Sequence, residues 1–325
     1  MDPVTHLVSG GLVSRMANDQ NAQYNFLGLC MVSAIAPDVD FVVGVLGPEA
    51  ALAHHRGITH SFAGGLLIAL LLTLVFWMRR KPFRFLTGFT YSYLLILVHI
   101  FLDLVTSYGT QILAPFSNHR FSLDSVFIID PVMTLPAIGL LAAGVIMKNR
   151  AKKLAIAGIV ILICYPLINV GIRIYLQERL ENRLKAQSVR FQSLDLLPDP
   201  FTPFFWKVIL TDGSEYRSGT YALIQPNTPV VFTSYRRAEG PLVQAAVQGS
   251  SMFRTYMWFA AYPTAETEIT PDGPMITLTD LRFQTNMFRN RRSPFKLTAY
   301  FDRQLHLTRW EYQRPFRERA RQILE

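Results

Sequence analysis

Apolar residues in the first half of the chain fall in long runs, whereas in the last third they alternate with polar ones. Phe62–Met78, Phe85–Leu104, Pro131–Met147 and Leu154–Ile172 each have spanning character. A hydrocarbon core of about 30 Å takes about 20 helical residues, and slightly shorter runs are completed by flanking side chains. These runs predict four membrane helices. A fifth apolar stretch, Phe26–Leu46, is interrupted by "PDVD" at Pro37–Asp40. Two carboxylates and a proline are tolerated in a membrane only when buried in protein or lining a polar cavity.

After Ile172, "RIYLQERLENRLKAQ" predicts a charged amphipathic helix leaving the membrane. The period then changes to two. "FFWKVILTDGSEYRSGTYALI" reads as a hairpin about Asp212-Gly213, "MITLTDLRF" as a strand, and "FKLTAYFDRQLHLTRWEYQ" as a second hairpin. Gly240–Phe259 reads as one or two helices. The expected fold is an α-helical membrane domain over residues 1–176, an amphipathic linker helix over 177–189 and an α+β, antiparallel-sheet extramembrane domain over 190–325.

Charge sharpens this division. Residues 1–176 hold 12 Lys+Arg and 8 Asp+Glu, and residues 177–325 hold 20 and 15. "RRKPFR" (Arg79–Arg84) and "KNRAKK" (Lys148–Lys153) flank the runs, and basic loops stay cytoplasmic. The other helix ends, the loop Ser107–Asp130 and everything after Tyr175 are then extracytoplasmic. The net charge of +9 fits this orienting role, and no nucleic-acid partner is expected. Cys30 and Cys164 form no metal motif or disulfide framework, and "MDPVTHLVSG" does not read as a cleavable signal peptide.

Six of the seven histidines lie in residues 1–120. They occur in "THLVSGG" with His6, "HHRGITHS" with His54, His55 and His60, "HIFLD" with His99 and Asp103, and "PFSNHRF" with His119; "PDVD" adds Asp38 and Asp40. His99 and Asp103, at i and i+4, share one helix face near the outer end of their run. His60 begins another run at its outer end, so charge-derived topology brings both patterns to one membrane face. Imidazole with carboxylate suits zinc, and also manganese or iron(II). A bound metal acidifies water and makes hydroxide available as a nucleophile. Asp38 and Asp40 point to one side if the segment is extended, and could bridge two ions. Each item also has a plainer reading: His99–Asp103 as a helix-linking hydrogen bond, "HHR" as an exposed loop, the two aspartates as caps for a helix starting at Phe41. His119 and His306 are not expected to be ligands.

"PDVD", "HHRGITHS" and "HIFLDLVTSYGT" together resemble the bacterial YdjM-like family of membrane-bound, metal-dependent hydrolases, described as LexA-binding inner-membrane proteins, over about residues 1–150. The longer form with a C-terminal module looks like its YfhP-type branch. More distantly, "TH…G…PD" looks like zinc-dependent phospholipase C enzymes, and that likeness implies His6, Asp40, His60, His99 and Asp103 as ligands. Those enzymes are soluble, whereas here the ligand-bearing helices are membrane spans. The expected activity is an integral inner-membrane hydrolase of a lipid or lipid-linked phosphoester. His6, Asp40, His55 (or His54), His60, His99 and Asp103 hold a divalent metal, Asp38 is base or second ligand, and Arg56 clamps an anion. The alternatives are a non-catalytic scaffold with a structural metal and, less well supported for want of repeated halves, a transporter. No partner of the C-terminal domain is indicated.

Overall fold

The computed structural model describes residues 1–16, 23–80, 84–285, 294–313 and 319–323. In chain order its helices are α1 (Pro3–Met16), α2 (Gln23–Ile35), α3 (Pro48–His54), α4 (Phe62–Arg80), α5 (Phe85–Leu104), α6 (Pro131–Ile146), α7 (Ala151–Ala186), α8 (Pro241–Gly249) and α9 (Ser251–Phe259). The chain forms two units. One comprises Met1–Val42, Arg56–Ile174 and Pro200–Pro203, the other Val43–His55, Tyr175–Asp199 and Phe204–Glu325.

Among the described residues, four stretches are long and apolar enough to cross a membrane: Phe26–Leu46, Phe62–Arg79, Phe85–Leu104 and Lys148–Ala186, the first and last of which run on into the second unit. The number matches the expectation, but the membership differs. Within Phe26–Leu46 the α-helix ends at Ile35, just before Pro37, as the interrupted run predicts, and a 3-10 stretch, Ala36–Leu46, continues it. The run beginning at Pro131 gives only the 16-residue α6, because Asp130 caps its start and the backbone leaves the helix at Met147. Sixteen residues rise about 24 Å, less than the hydrocarbon thickness.

Helix α5 is central. Its buried residues Gly88, Ser92, Leu95, Ile96, His99, Ile100, Leu102 and Asp103 recur at three- and four-residue intervals. Leu95 packs with Phe26, Leu29, Cys30 and Ala34 of α2. Ile96 and Ile100 pack with Ala69 of α4. Leu102 joins Val8, Leu12, Met133, Ala137 and Leu162 from α1, α6 and α7. Between helices in lipid, this contact works through close packing and hydrogen bonding more than through the hydrophobic effect. The polar positions on α5 are therefore internal.

The second unit carries two antiparallel sheets: β1 (Ser193–Pro198), β2 (Phe205–Asp212), β3 (Glu215–Ala222) and β4 (Thr233–Arg236), and then β5 (Pro263–Thr270), β6 (Gly273–Asp280), β7 (Lys296–Phe301), β8 (Leu307–Gln313) and β9 (Arg319–Ile323), each in sequential order. The first expected hairpin is β2–β3. Asp212 pairs with Glu215, so its turn is Gly213–Ser214, one residue later than expected. The second is β7–β8. Helices α8 and α9 occupy the expected insert.

Two features depart from the expected division. The linker is not a separate helix, because α7 runs unbroken through Ala186. Helix α3 folds with the C-terminal module. Its Glu49 carboxylate accepts hydrogen bonds from Ser251 Oγ (2.7 Å) and Thr255 Oγ1 (3.2 Å) of α9.

Candidate metal centre

On α5, His99 and Asp103 lie one turn apart and fully buried. His99 Nδ1 lies 2.7 Å from the carbonyl of Ala34, at the end of α2. The ring donates its Nδ1–H there, so Nε2 presents a lone pair inward. His60 arrives on a single 3-10 turn, Ile58–His60, immediately before α4. Ser61 Oγ donates to Ile58 O and accepts from Gly64 N, folding the turn back onto the helix. A Cβ at Gly64 would stand 1.8 Å from Ile58 O, so only glycine permits this closure.

The "PDVD" segment supplies both of its carboxylates to one imidazole. With three residues per 3-10 turn, Pro37 and Asp40 share the buried side while Asp38 projects beside them. Asp40 Oδ2 lies 3.1 Å from His60 Nδ1, and Asp38 Oδ1 lies 3.5 Å from His60 Nε2. This corrects the extended geometry expected of the segment. Nor does Asp40 cap a helix at Phe41, since its Oδ2 accepts from Arg56 N (2.8 Å) and Thr59 Oγ1 (3.0 Å).

Asp38, His60, His99 and Asp103 form a group whose ligand atoms all lie within 4.8 Å of one another. Among them, His60 Nε2 is 3.1 Å from His99 Nε2 and 3.1 Å from Asp103 Oδ2. His99 Nε2 is 3.5 Å from Asp103 Oδ2 and 3.6 Å from Asp38 Oδ1. Four ligands about 2.1 Å from a shared centre in a tetrahedron are about 3.4 Å apart. The spacing therefore fits a divalent cation. With Nδ1–H of His60 directed at Asp40 and that of His99 at Ala34, the four inward atoms are lone pairs facing one another. They require a cation or a proton between them. The Asp103, Asp38 and Asp40 carboxylates around His60 supply the negative charge that such a cation offsets. His6 adds a further sign: both its ring nitrogens are buried with no hydrogen bond among the described residues.

The remaining expected residues take distinct places. His6 stacks on His99, with ring centroids 3.7 Å apart, and its Nε2 is 3.4 Å from Asp103 Oδ1. It lines the group rather than joining the four. Asp40 stands behind His60, fixing its tautomer in the manner of a carboxylate–histidine–metal arrangement. Arg56 is 3% exposed and turned inward. Its Nη2 lies 3.0 Å from Asp103 Oδ1, its Nη1 donates to Thr106 Oγ1 (2.8 Å), and its guanidinium covers the Tyr108 ring. It balances the buried Asp103, as does the Met1 ammonium paired with the same carboxylate. His54 and His55 are not among the four residues of this group and fall in the second unit. His119 and His306 are exposed, as expected of non-ligands. Sequence reasoning missed Thr59, Thr106, Tyr108 and the Ala34 carbonyl. Of these, Thr59 lies inside "HHRGITHS" and Thr106 and Tyr108 inside "HIFLDLVTSYGT", whereas the Ala34 carbonyl carried no local signal.

Fold and centre together define a class: polytopic helical membrane proteins with a buried His/Asp group suited to a metal ion. The chain belongs to the YdjM inner membrane protein family, whose model matches residues 1–180. It is also similar to the uncharacterized protein YfhP of Bacillus subtilis (strain 168), at 23% identity over 302 residues covering 88% of each chain. No solved structure matches.

Proposed function

We propose that the protein is an integral membrane, metal-dependent hydrolase acting on a lipid or lipid-linked phosphoester at the extracytoplasmic interface, with zinc as the first candidate metal and manganese or iron as alternatives. The carrying observation is the convergence of Asp38, His60, His99 and Asp103 at metal-ligand spacing, with second-layer hydrogen bonds fixing both histidine tautomers. A cation held there supplies Lewis acidity and a nucleophile at neutral pH. His60, His99 and Asp103 are its fixed ligands. The Asp38 side chain is 30% exposed, against 0–1% for His60 and Asp103, and this greater exposure supports a role facing substrate and water. It serves as the base or as a displaceable fourth ligand. Arg56, with Nη2 3.0 Å from Asp103 Oδ1, offsets the charge of that carboxylate in a water-poor site.

Orientation rests on the basic clusters at Arg79–Arg84 and Lys148–Lys153. Single cysteines at Ser214 and Asn118, in a background lacking Cys30 and Cys164, are expected to react with an impermeant thiol reagent in intact cells, and one at Asn149 is not.

The decisive test is release of headgroup or phosphate from phospholipid and polyprenyl-phosphate substrates in mixed micelles. Asp38→Asn is expected to abolish turnover while retaining metal. A second reading, a structural metal, is favoured by the count of four protein ligands, which can close a site. It becomes the better account if metal-replete protein turns over no substrate in the panel and metal-free protein unfolds.

A further inference from the structure

The segment between α5 and α6 is a fixed strap. Leu123 N bonds Leu104 O, and Ser125 N and Val126 N both bond Val105 O. Thr110 and Phe121 exchange both backbone bonds, at 2.9 and 3.0 Å. Gln111 N bonds Arg56 O, and Phe62 N bonds Ile112 O. The strap is thus tied to the end of α5 and the start of α4, both of which are membrane helices. Its tip cannot move far from the plane where those helices leave the bilayer.

That tip is apolar and basic. Phe116 is 88% exposed and Leu113 44%. Ile128 and Ile129, just before α6, are also exposed. His119 and the half-buried Arg120 sit beside Phe116 in the chain. Arg120 is posed rather than loose: its Nη1 donates to Gly109 O (3.0 Å) and its guanidinium lies over the Tyr108 ring. Gly109, at φ 86°, leaves room for it, since a Cβ there would be 2.9 Å from Arg120 Cβ. An aromatic ring so fully presented is costly against water. At the headgroup level it is favourable, and a neighbouring guanidinium pairs with phosphate there.

We propose that the tip, Leu113 to Arg120, is an interfacial anchor: Phe116 and Leu113 enter the boundary between headgroups and acyl chains, and Arg120 engages the phosphate of an anionic phospholipid. The anchor needs only the membrane helices and stands whether or not the metal centre is catalytic. The test uses the full chain in nanodiscs, with Cys30 and Cys164 replaced by alanine and a single spin-labelled cysteine at Phe116. Labels at Leu94, on the exposed face of α5, and at Asn227, in the C-terminal module, provide the lipid and water references. The ratio of oxygen to nickel-chelate accessibility at position 116 is expected to approach that at 94. A ratio equal to that at 227 overturns the anchor. Raising phosphatidylglycerol from none to half of the lipid, against phosphatidylcholine, is expected to deepen the label. Arg120→Gln should remove this response and Arg120→Lys should keep it. Depth indifferent to phosphatidylglycerol in the unsubstituted protein, or an unchanged response in Arg120→Gln, overturns the role of Arg120.

Discussion

Replacing His99 with alanine tests the centre most directly, because the structure ranks its effect against those of its neighbours. Structural zinc sites bind with roughly 10–16 kcal/mol, so one of four ligands carries roughly 3–4 kcal/mol, or two to three orders of magnitude in Kd. His99→Ala and His60→Ala should each weaken binding by about that factor. Asp40 lies outside the group of four and meets His60 at Nδ1, at 3.1 Å, so Asp40→Asn should cost about 10–100-fold, the range for an orienting partner. His55→Ala, in the other unit, should cost nothing measurable. The assay is competition for zinc against a chelator of known affinity, in detergent, with circular dichroism confirming helix content in each variant. The ranking is the informative result. If Asp40→Asn matches His99→Ala, Asp40 is itself a ligand. If His55→Ala matches it, the arrangement of the four residues described above is wrong.

Other consequences are open to simpler checks. Gly64→Ala should weaken metal binding as much as His60→Ala, since the new methyl collides with Ile58 O; unchanged affinity in that variant would show that the turn is not needed. Asp130 is buried, which raises its pKa from 3.8 to about 6. Between those values the folded state keeps a proton that the unfolded chain has released. This contribution therefore favours folding most at low pH, is lost as pH rises toward 6, and costs up to about 3 kcal/mol above that. Asp130→Asn, which preserves the helix cap, should raise the unfolding midpoint at pH 7.5 and leave it unchanged at pH 4. Glu49→Ala removes two hydrogen bonds to α9 and should lower the stability of the C-terminal module by about 1–2 kcal/mol, read by its tryptophan fluorescence in denaturant.

Much of this architecture was legible because it rests on period. Uninterrupted apolar runs marked α4, α5 and most of α7, and alternation about a glycine marked β2–β3. His99 and Asp103 were readable as a pair because four residues is one helical turn, and His60 because it opens a span. What escaped depended on conformation. Whether Pro37 breaks a helix or tightens it into a 3-10 stretch decides where Asp38 and Asp40 point, and the residue types allow either. Arg56 faces inward because its backbone adopts φ 58°, which nothing in "HHRG" requires. Separating His55 from His60 needed the knowledge that α3 folds with α9, a contact between residues about 200 apart that no local pattern reports.

That distant pairing also has a bearing on biosynthesis. At about 5–20 residues per second, α9 leaves the ribosome roughly 10–40 s after α3. Throughout that interval the membrane helices can insert and pack, while α3, the short helix between the Asp38–Asp40 and Arg56–His60 segments, lacks its partner α9. The segment joining these pairs thus completes its hydrogen bonds late, and a nascent chain released before residue 251 lacks the Ser251 and Thr255 hydroxyls that bond Glu49.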